Sequence, residues 1–234
     1  MPLDGNPGIR GVVLDLDDTL TDLASFELQV WDDVAKLIGE RLPHVDRDEL
    51  RQRYLDAMDR NYQRVLDGEL DMRGYRRARL EQALAPWGDL EDDLFEDYFR
   101  IKQRLLDEVP PKPGSYEALK ALRETGFELA ILTNGPSDMQ RAKLERFGFD
   151  VDHVAISGEI GAAKPERAAY DAVVDMMGLP HATLAMVGDN WEWDVAGALD
   201  AGFAAAFYVG PDDPPPRPRA YRLKSVADLP DALR

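Results

Sequence analysis

The sequence contains no cysteine, which excludes disulfides, thiolate metal ligands and a cysteine nucleophile. It also lacks any apolar run near the roughly 20 residues that a membrane-spanning helix needs, so no membrane partner is expected. The opening stretch from Met1 to Gly11 has no long apolar segment behind a basic start. No secretion signal is expected there, and cytoplasm is the default compartment. Histidine is scarce: His44, His153 and His181 show no metal-ligand spacing. Basic charge is in short supply too, with 28 Lys and Arg against 45 Asp and Glu and a formal net charge of −17. Duplex nucleic acid, bound by neutralising phosphates with basic groups, is therefore disfavoured as a partner. An anionic substrate has to be met locally, by a metal ion or a few placed cations, against the overall field.

What is present suffices for an α/β domain carrying a smaller module: 234 residues, 44% of them apolar. Val12-Val13-Leu14 reads as a short buried strand. From about Ser25 to Asp107 the pattern is helical. Phe26, Val30, Val34, Leu37 and Ile38 share one face, and Tyr54, Leu55, Met58, Tyr62, Val65 and Leu66 another. Tyr75, Leu80, Ala83, Leu84 and Trp87 form a third stripe, and Leu94, Phe95, Tyr98, Phe99, Leu105 and Leu106 a fourth. Breaks near Pro43, Gly68 and Pro86–Gly88 separate these into a four-helix module.

Beyond Pro110 the chain alternates. Strands are expected at Phe127–Leu132, Val154–Ile156, Leu184–Val187 and Phe203–Val209. Helices are expected at Tyr116–Thr125, Ser137–Phe147, Pro165–Met177 and Glu192–Ala201, and Pro211–Pro218 reads as a proline-rich surface loop. Such alternation predicts a three-layer parallel sheet of the Rossmann-like kind. The four-helix bundle, residues 22–107, is inserted between core segments 1–21 and 108–234. Ligands of open α/β sheets bind outside the carboxyl ends of the strands.

Four polar clusters follow the expected strands: Asp15, Asp17, Asp18 and Thr19; Thr133, Asn134 and Gly135; Lys164-Pro165; and Gly188, Asp189, Asn190 and Asp194. Carboxylates, one amine, one hydroxyl and glycine-exposed N–H groups on a single rim suit phosphoryl transfer. A carboxylate approaching a phosphate dianion meets charge repulsion, which a magnesium ion held by oxygens removes. Asp15 and Asp189 are the natural ligands. Thr133, Lys164 and the N–H groups near Asn134 and Gly135 can hold the phosphoryl oxygens. Asp17 can protonate the leaving oxygen and later deprotonate water.

In order and spacing, DLDDTL at Asp15–Leu20, LTNG at Leu132–Gly135, Lys164-Pro165 and GDNWEWD at Gly188–Asp194 resemble the four motifs of the haloacid dehalogenase-like superfamily. The resemblance covers nearly the whole chain. It implies that Asp15 is the nucleophile and becomes an aspartyl phosphate. Asp17 would be the general acid/base and would offer its backbone carbonyl to the metal. Thr133 and Lys164, with Asn134 beside them, would bind the phosphoryl group. Asp189 would ligate magnesium, and Asp194 would orient Lys164 or a metal-bound water. The helical insertion would be a mobile cap that excludes water and selects substrate.

The expected activity is magnesium-dependent hydrolysis of a small phosphomonoester of the nucleotide or sugar phosphate class, by a monomer or homodimer. A 2-haloacid dehalogenase, a phosphomutase and a non-catalytic scaffold are the alternatives. Asp18 reads as a turn residue, and Asn134 as either a phosphate contact or a turn former. Arg73, Arg76, Arg77 and Arg79, beside Tyr75, read as a solvated face pairing with nearby acids rather than a substrate contact. Trp191 and Trp193 read as packing residues.

Overall fold

The computed structural model describes residues 8–66 and 69–234; the side chains at 58–60, 62, 63 and 66 are outside the described residues. The break expected at Gly68, most of the opening segment, and the stripe positions Met58, Tyr62 and Leu66 fall outside with them. The chain divides into two compact units, one made of the residues through Leu23 with Pro110–Arg234, the other of Ala24–Val109.

The first unit is built on six parallel strands: β1 (Gly11–Leu14), β2 (Glu128–Thr133), β3 (His153–Ile156), β4 (Leu184–Gly188), β5 (Ala205–Tyr208) and β6 (Ala220–Arg222), in the spatial order β3-β2-β1-β4-β5-β6. Every residue of β1 and β4 is buried, which is why both read as unbroken apolar runs rather than alternating ones. Helices flank the sheet. Ala169, Tyr170, Val173, Val174 and Met177 of one of them (Arg167–Met177) join Val13, Ala130, Leu132 and Met186 in one apolar cluster.

The order of the strands locates the site. The chain runs from β1 outward through β2 to β3, then returns to the other side of β1 for β4. Connections therefore leave β1 and β4 in opposite directions, and a crevice opens beyond their carboxyl ends. Leu14 lies beside Val187, and the Asp15 N–H donates to the Val187 carbonyl at 2.9 Å. The residues after the two strands are consequently delivered to one place.

Three local expectations are corrected. The helix expected from Pro165 begins at Arg167, because Lys164 is bound at both its N–H and its carbonyl to the Asn134 side chain. The helix expected over Glu192–Ala201 is a π-helical turn, Trp191–Ala196, followed by one α-turn at Gly197–Asp200. The Tyr170 hydroxyl donates to the Trp193 carbonyl there, the kind of insertion that widens a helical turn. Trp193 is 41% exposed rather than packed, whereas Trp191 packs against the core cluster.

The second unit contains α1 (Leu23–Arg41) from Ala24 onward, with α2 (Arg47–Leu66), α3 (Met72–Leu84) and α4 (Asp92–Asp107). Asp71 caps α3 by accepting from the Gly74 N–H. Val34, Ile38, Leu50, Tyr54, Leu80, Leu94, Phe95 and Tyr98 share one apolar cluster. The arginine-rich face of α3 divides. Arg73 pairs with Glu96, and Arg77 with Glu81 and Asp92, at the surface, as expected. Arg76 and Arg79 are buried, contrary to expectation. Helical periodicity places them on the stripe of Tyr75, Leu80 and Ala83, so they enter the interior with it. The Arg79 Nε donates to the Tyr54 carbonyl at 2.9 Å, and its guanidinium lies 3.8 Å from the Tyr54 ring centroid.

Candidate active site

Beyond β1 and β4 the structure assembles a compact charged group. One carboxylate oxygen each from Asp15, Asp189 and Asp194 lie within 4.8 Å of one another. The Lys164 ammonium bridges two of them, 2.6 Å from Asp15 Oδ1 and 2.6 Å from Asp194 Oδ1. Asp15, Asp194 and Lys164 are all buried. The Thr19 hydroxyl donates to Asp189 Oδ1 at 3.4 Å.

Each member is delivered by a specific backbone device. Asp15 leaves the end of β1 directly. Asp18 turns the chain with φ of 60°, a conformation that aspartate tolerates better than most residues. Asn134 brackets Lys164, its Oδ1 accepting from the Lys164 N–H at 2.8 Å and its Nδ2 donating to the Lys164 carbonyl at 2.9 Å. Both ends of the Asn134 amide are engaged in placing the lysine. Asp194 turns back along the π-helical turn so that its Oδ2 accepts from the Asn190 N–H at 3.0 Å. Gly188 makes room for it: a Cβ at that position would lie 2.1 Å from the Asp194 carboxyl carbon.

Counted as ionised, three carboxylates against one ammonium leave a formal excess of two negative charges, on two buried side chains and the half-buried Asp189. Burial pushes the Asp189 carboxyl up to about 7, with the charges of Asp194 and Asp18 adding to the push. Burial also raises Asp15 well above the ordinary carboxylate range; Lys164 opposes this, while Asp194 and Asp189 reinforce it. For Lys164 burial works the other way, but the two carboxylates outweigh it and its pKa is raised. Clustered oxygen donors with formal surplus negative charge are the environment a hard divalent cation suits, and magnesium fits this donor set.

The remaining expected residues are placed as follows. Thr133 ends β2, buried, and its Oγ1 accepts from the Gln140 Nε2 at 2.6 Å. The Asp17 carboxylate lies outside the three-carboxylate group, past the end of β1 at Leu14, in contact with other side chains. Its side chain meets Lys143, whose Nζ is 2.7 Å from Oδ1 and 2.5 Å from Oδ2. Gln140 Nε2 lies 3.0 Å from Asp17 Oδ2, and the Thr21 hydroxyl 3.3 Å from Oδ1. Sequence reasoning missed Gln140 and Lys143. A signal existed: in the helix Ser137–Phe147 the buried face reads Gln140, Lys143, Phe147 at helical spacing. Two long polar side chains on a buried face require partners.

Residues 9–202 match the family described as haloacid dehalogenase-like hydrolase. The chain is 35% identical over 156 residues to a phosphoserine phosphatase of Thermus thermophilus, a match spanning 64% of this chain and 60% of that protein. It is 26% identical over 238 residues to the N-acylneuraminate-9-phosphatase of Rattus norvegicus, covering 97% and 94% of the two chains. It is 28% identical over 234 residues to (S)-2-haloacid dehalogenase 1 of a Pseudomonas species, covering 96% of each. The fold is that of the HAD-hydrolase YfnB from Bacillus subtilis, a structure bound to magnesium. The TM-score is 0.73 at 20% identity, over 96% of this chain and 98% of that one.

Proposed function

This chain belongs to the haloacid dehalogenase-like hydrolases, and on that premise we propose that it is a magnesium-dependent phosphatase of small phosphomonoesters, with Asp15 as nucleophile. The observation that carries the reading is the group of Asp15, Asp189 and Asp194, two of them held by Lys164, with its formal surplus of negative charge. Asp15 and Asp189, with the backbone carbonyl of Asp17, would hold the ion, and Asp194 stands beside them. Bound there, magnesium supplies the positive charge that lets a carboxylate and a phosphate dianion approach each other.

Asp15 attacks phosphorus, and the bond from phosphorus to the ester oxygen breaks. Asp17 gives the leaving oxygen its proton, and then takes one from the water that hydrolyses the aspartyl phosphate. Lys164 holds Asp15 in place from one side while Asp194 fixes Lys164 from the other. Thr133 and Lys164 offer hydrogen-bond donors to the phosphoryl oxygens, and Asn134 serves by fixing the Lys164 backbone.

Substrates to try first are sugar phosphates and nucleotides. The likeness to an N-acylneuraminate-9-phosphatase over nearly the whole chain puts acidic sugar phosphates at the head of the panel. The likeness to a haloacid dehalogenase supports a second reading, in which Asp15 displaces halide without metal. Against it stand the surplus charge of the carboxylate group and the presence of Asp17.

The deciding experiment measures phosphate release from such a panel with and without magnesium, and chloride release from 2-chloropropionate with chelator. Metal-dependent phosphate release that disappears in Asp15→Asn supports the phosphatase. Halide release under chelation, or phosphate release that survives Asp15→Asn, refutes it.

A further inference from the structure

We propose that Lys143 and Gln140 form a clamp that aims the Asp17 carboxyl, making them positioning residues for the proton-transfer steps. The inference rests on the phosphatase reading above and adds to it two residues that none of the four motifs contains.

Lys143 has no partner of the ordinary surface kind. Its side chain is 2% exposed, and its ammonium spans both oxygens of Asp17. Burying an ammonium is costly unless it is paired, so this contact is what makes the position tenable for lysine. Gln140 stands one turn earlier on the same face of the helix Ser137–Phe147 and is also buried. Its Nε2 reaches Asp17 Oδ2 at 3.0 Å, Thr133 Oγ1 at 2.6 Å and the Asn134 carbonyl at 3.1 Å. One amide nitrogen thereby ties the Asp17 carboxyl to the hydroxyl and the loop proposed to hold the phosphoryl group. The loop is shaped around that amide. Gly135 has φ of 151°, and a Cβ there would lie 3.0 Å from the Gln140 side-chain carbon.

The clamp holds orientation rather than protons. A carboxyl keeps an acceptor oxygen whether or not it carries a proton, and the ammonium has three donors, so the aim survives both halves of the reaction. Proton transfer is sensitive to such aim, because the donor must come within hydrogen-bond reach of the leaving oxygen. Lys143 itself neither gives nor takes a proton in this scheme.

Leaving-group dependence provides the test. An alkyl phosphate expels a poor leaving group and needs the proton from Asp17, whereas 4-nitrophenyl phosphate expels a stable anion and hardly needs it. Both are measured as kcat/KM with magnesium, which reports the step in which the ester bond breaks. For Lys143→Met the alkyl ester should lose about 100-fold, and the aryl ester less than about threefold. Gln140→Leu, which leaves the ammonium in place, should show the same split at smaller size. It stands in if the Met variant does not fold, as judged by circular dichroism and thermal melting. In an Asp17→Asn background, Lys143→Met should add less than about threefold, since the residue it aims is already disabled. Equal losses on the two esters, no loss on either, or full additivity with Asp17→Asn would overturn the clamp alone. An unsubstituted chain inert toward both esters would take down the phosphatase reading, and the clamp with it.

Discussion

The two units of this chain bury charge in opposite ways. In the sheet unit, three carboxylates gather beyond the ends of β1 and β4 and one lysine pairs with two of them, leaving a formal surplus of negative charge. In the helical unit the buried groups are cations, and the described ones are engaged within the unit. Arg79 lies over the Tyr54 ring and donates to the Tyr54 carbonyl, and Lys102 pairs with Glu27 at 2.8 Å. A buried charge with its partner close by is accounted for within the fold; a group with charge left over points to a ligand. Burial alone does not distinguish the two cases, and the local charge count does.

That contrast can be broken most directly in the sheet unit. Asp189→Asn should raise the magnesium concentration needed for half-maximal activity by at least about tenfold. It should also remove the magnesium-induced rise in melting temperature. In the unsubstituted chain that rise corresponds to about 2.7 kcal/mol when the ion is at a hundred times its dissociation constant. A variant with unaltered magnesium response would show that the carboxylate surplus is not a metal site.

Gly188→Ala comes next. Its Cβ would collide with the Asp194 carboxyl, so the chain should lose about 1–3 kcal/mol to overpacking, read from urea unfolding. Catalysis should fall as well, because Asp194 can no longer hold Lys164. Arg79→Met, in the helical unit, should cost a similar or smaller amount, about 1–2 kcal/mol for the lost hydrogen bond and ring contact. The magnesium-induced melting shift should be unchanged, and a changed shift would abolish the distinction between the units.

The smallest effect concerns acid. Burial works against the Glu27 carboxylate, but Lys102, with Arg79 and Arg76, outweighs it and holds its pKa below the usual 4.5. A depressed carboxylate stabilises the fold fully above its unfolded value, and the contribution is lost as pH falls through the lower folded value. Stability should therefore decline somewhat below pH 4.5, and Lys102→Met should flatten that part of the profile. The carboxylate is partly exposed, so the change is a modest one in the urea midpoint.

Much of this was legible from the sequence. β1 and β4 announce themselves as short apolar runs followed by acids, and the position of those acids after parallel strands predicts a common rim. Asp15, Asp189, Asp194 and Lys164 meet there, within the distances already given. Arg76 and Arg79 were misread because a run of arginines looks solvated until the helix phase is set by what it packs against. Lys143 and Gln140 were overlooked for the same reason: on paper they are ordinary polar helix residues. Only the tertiary structure shows that their face of the helix turns inward, toward Asp17. Trp193, read as packing, lies exposed in the π-helical turn.

By itself the sequence determined the strand and helix periodicities, the parallel α/β class and the identity of the acids after each strand. These follow from local patterns of apolar and polar residues, which the backbone repeats of helix and strand read directly. Tertiary structure alone decided the strand order that opens the crevice, the engagement of Asn134 with the Lys164 backbone and the grip of Lys143 on Asp17. Those contacts join residues 30 and 126 positions apart. Their geometry depends on how whole elements pack, which no local pattern encodes.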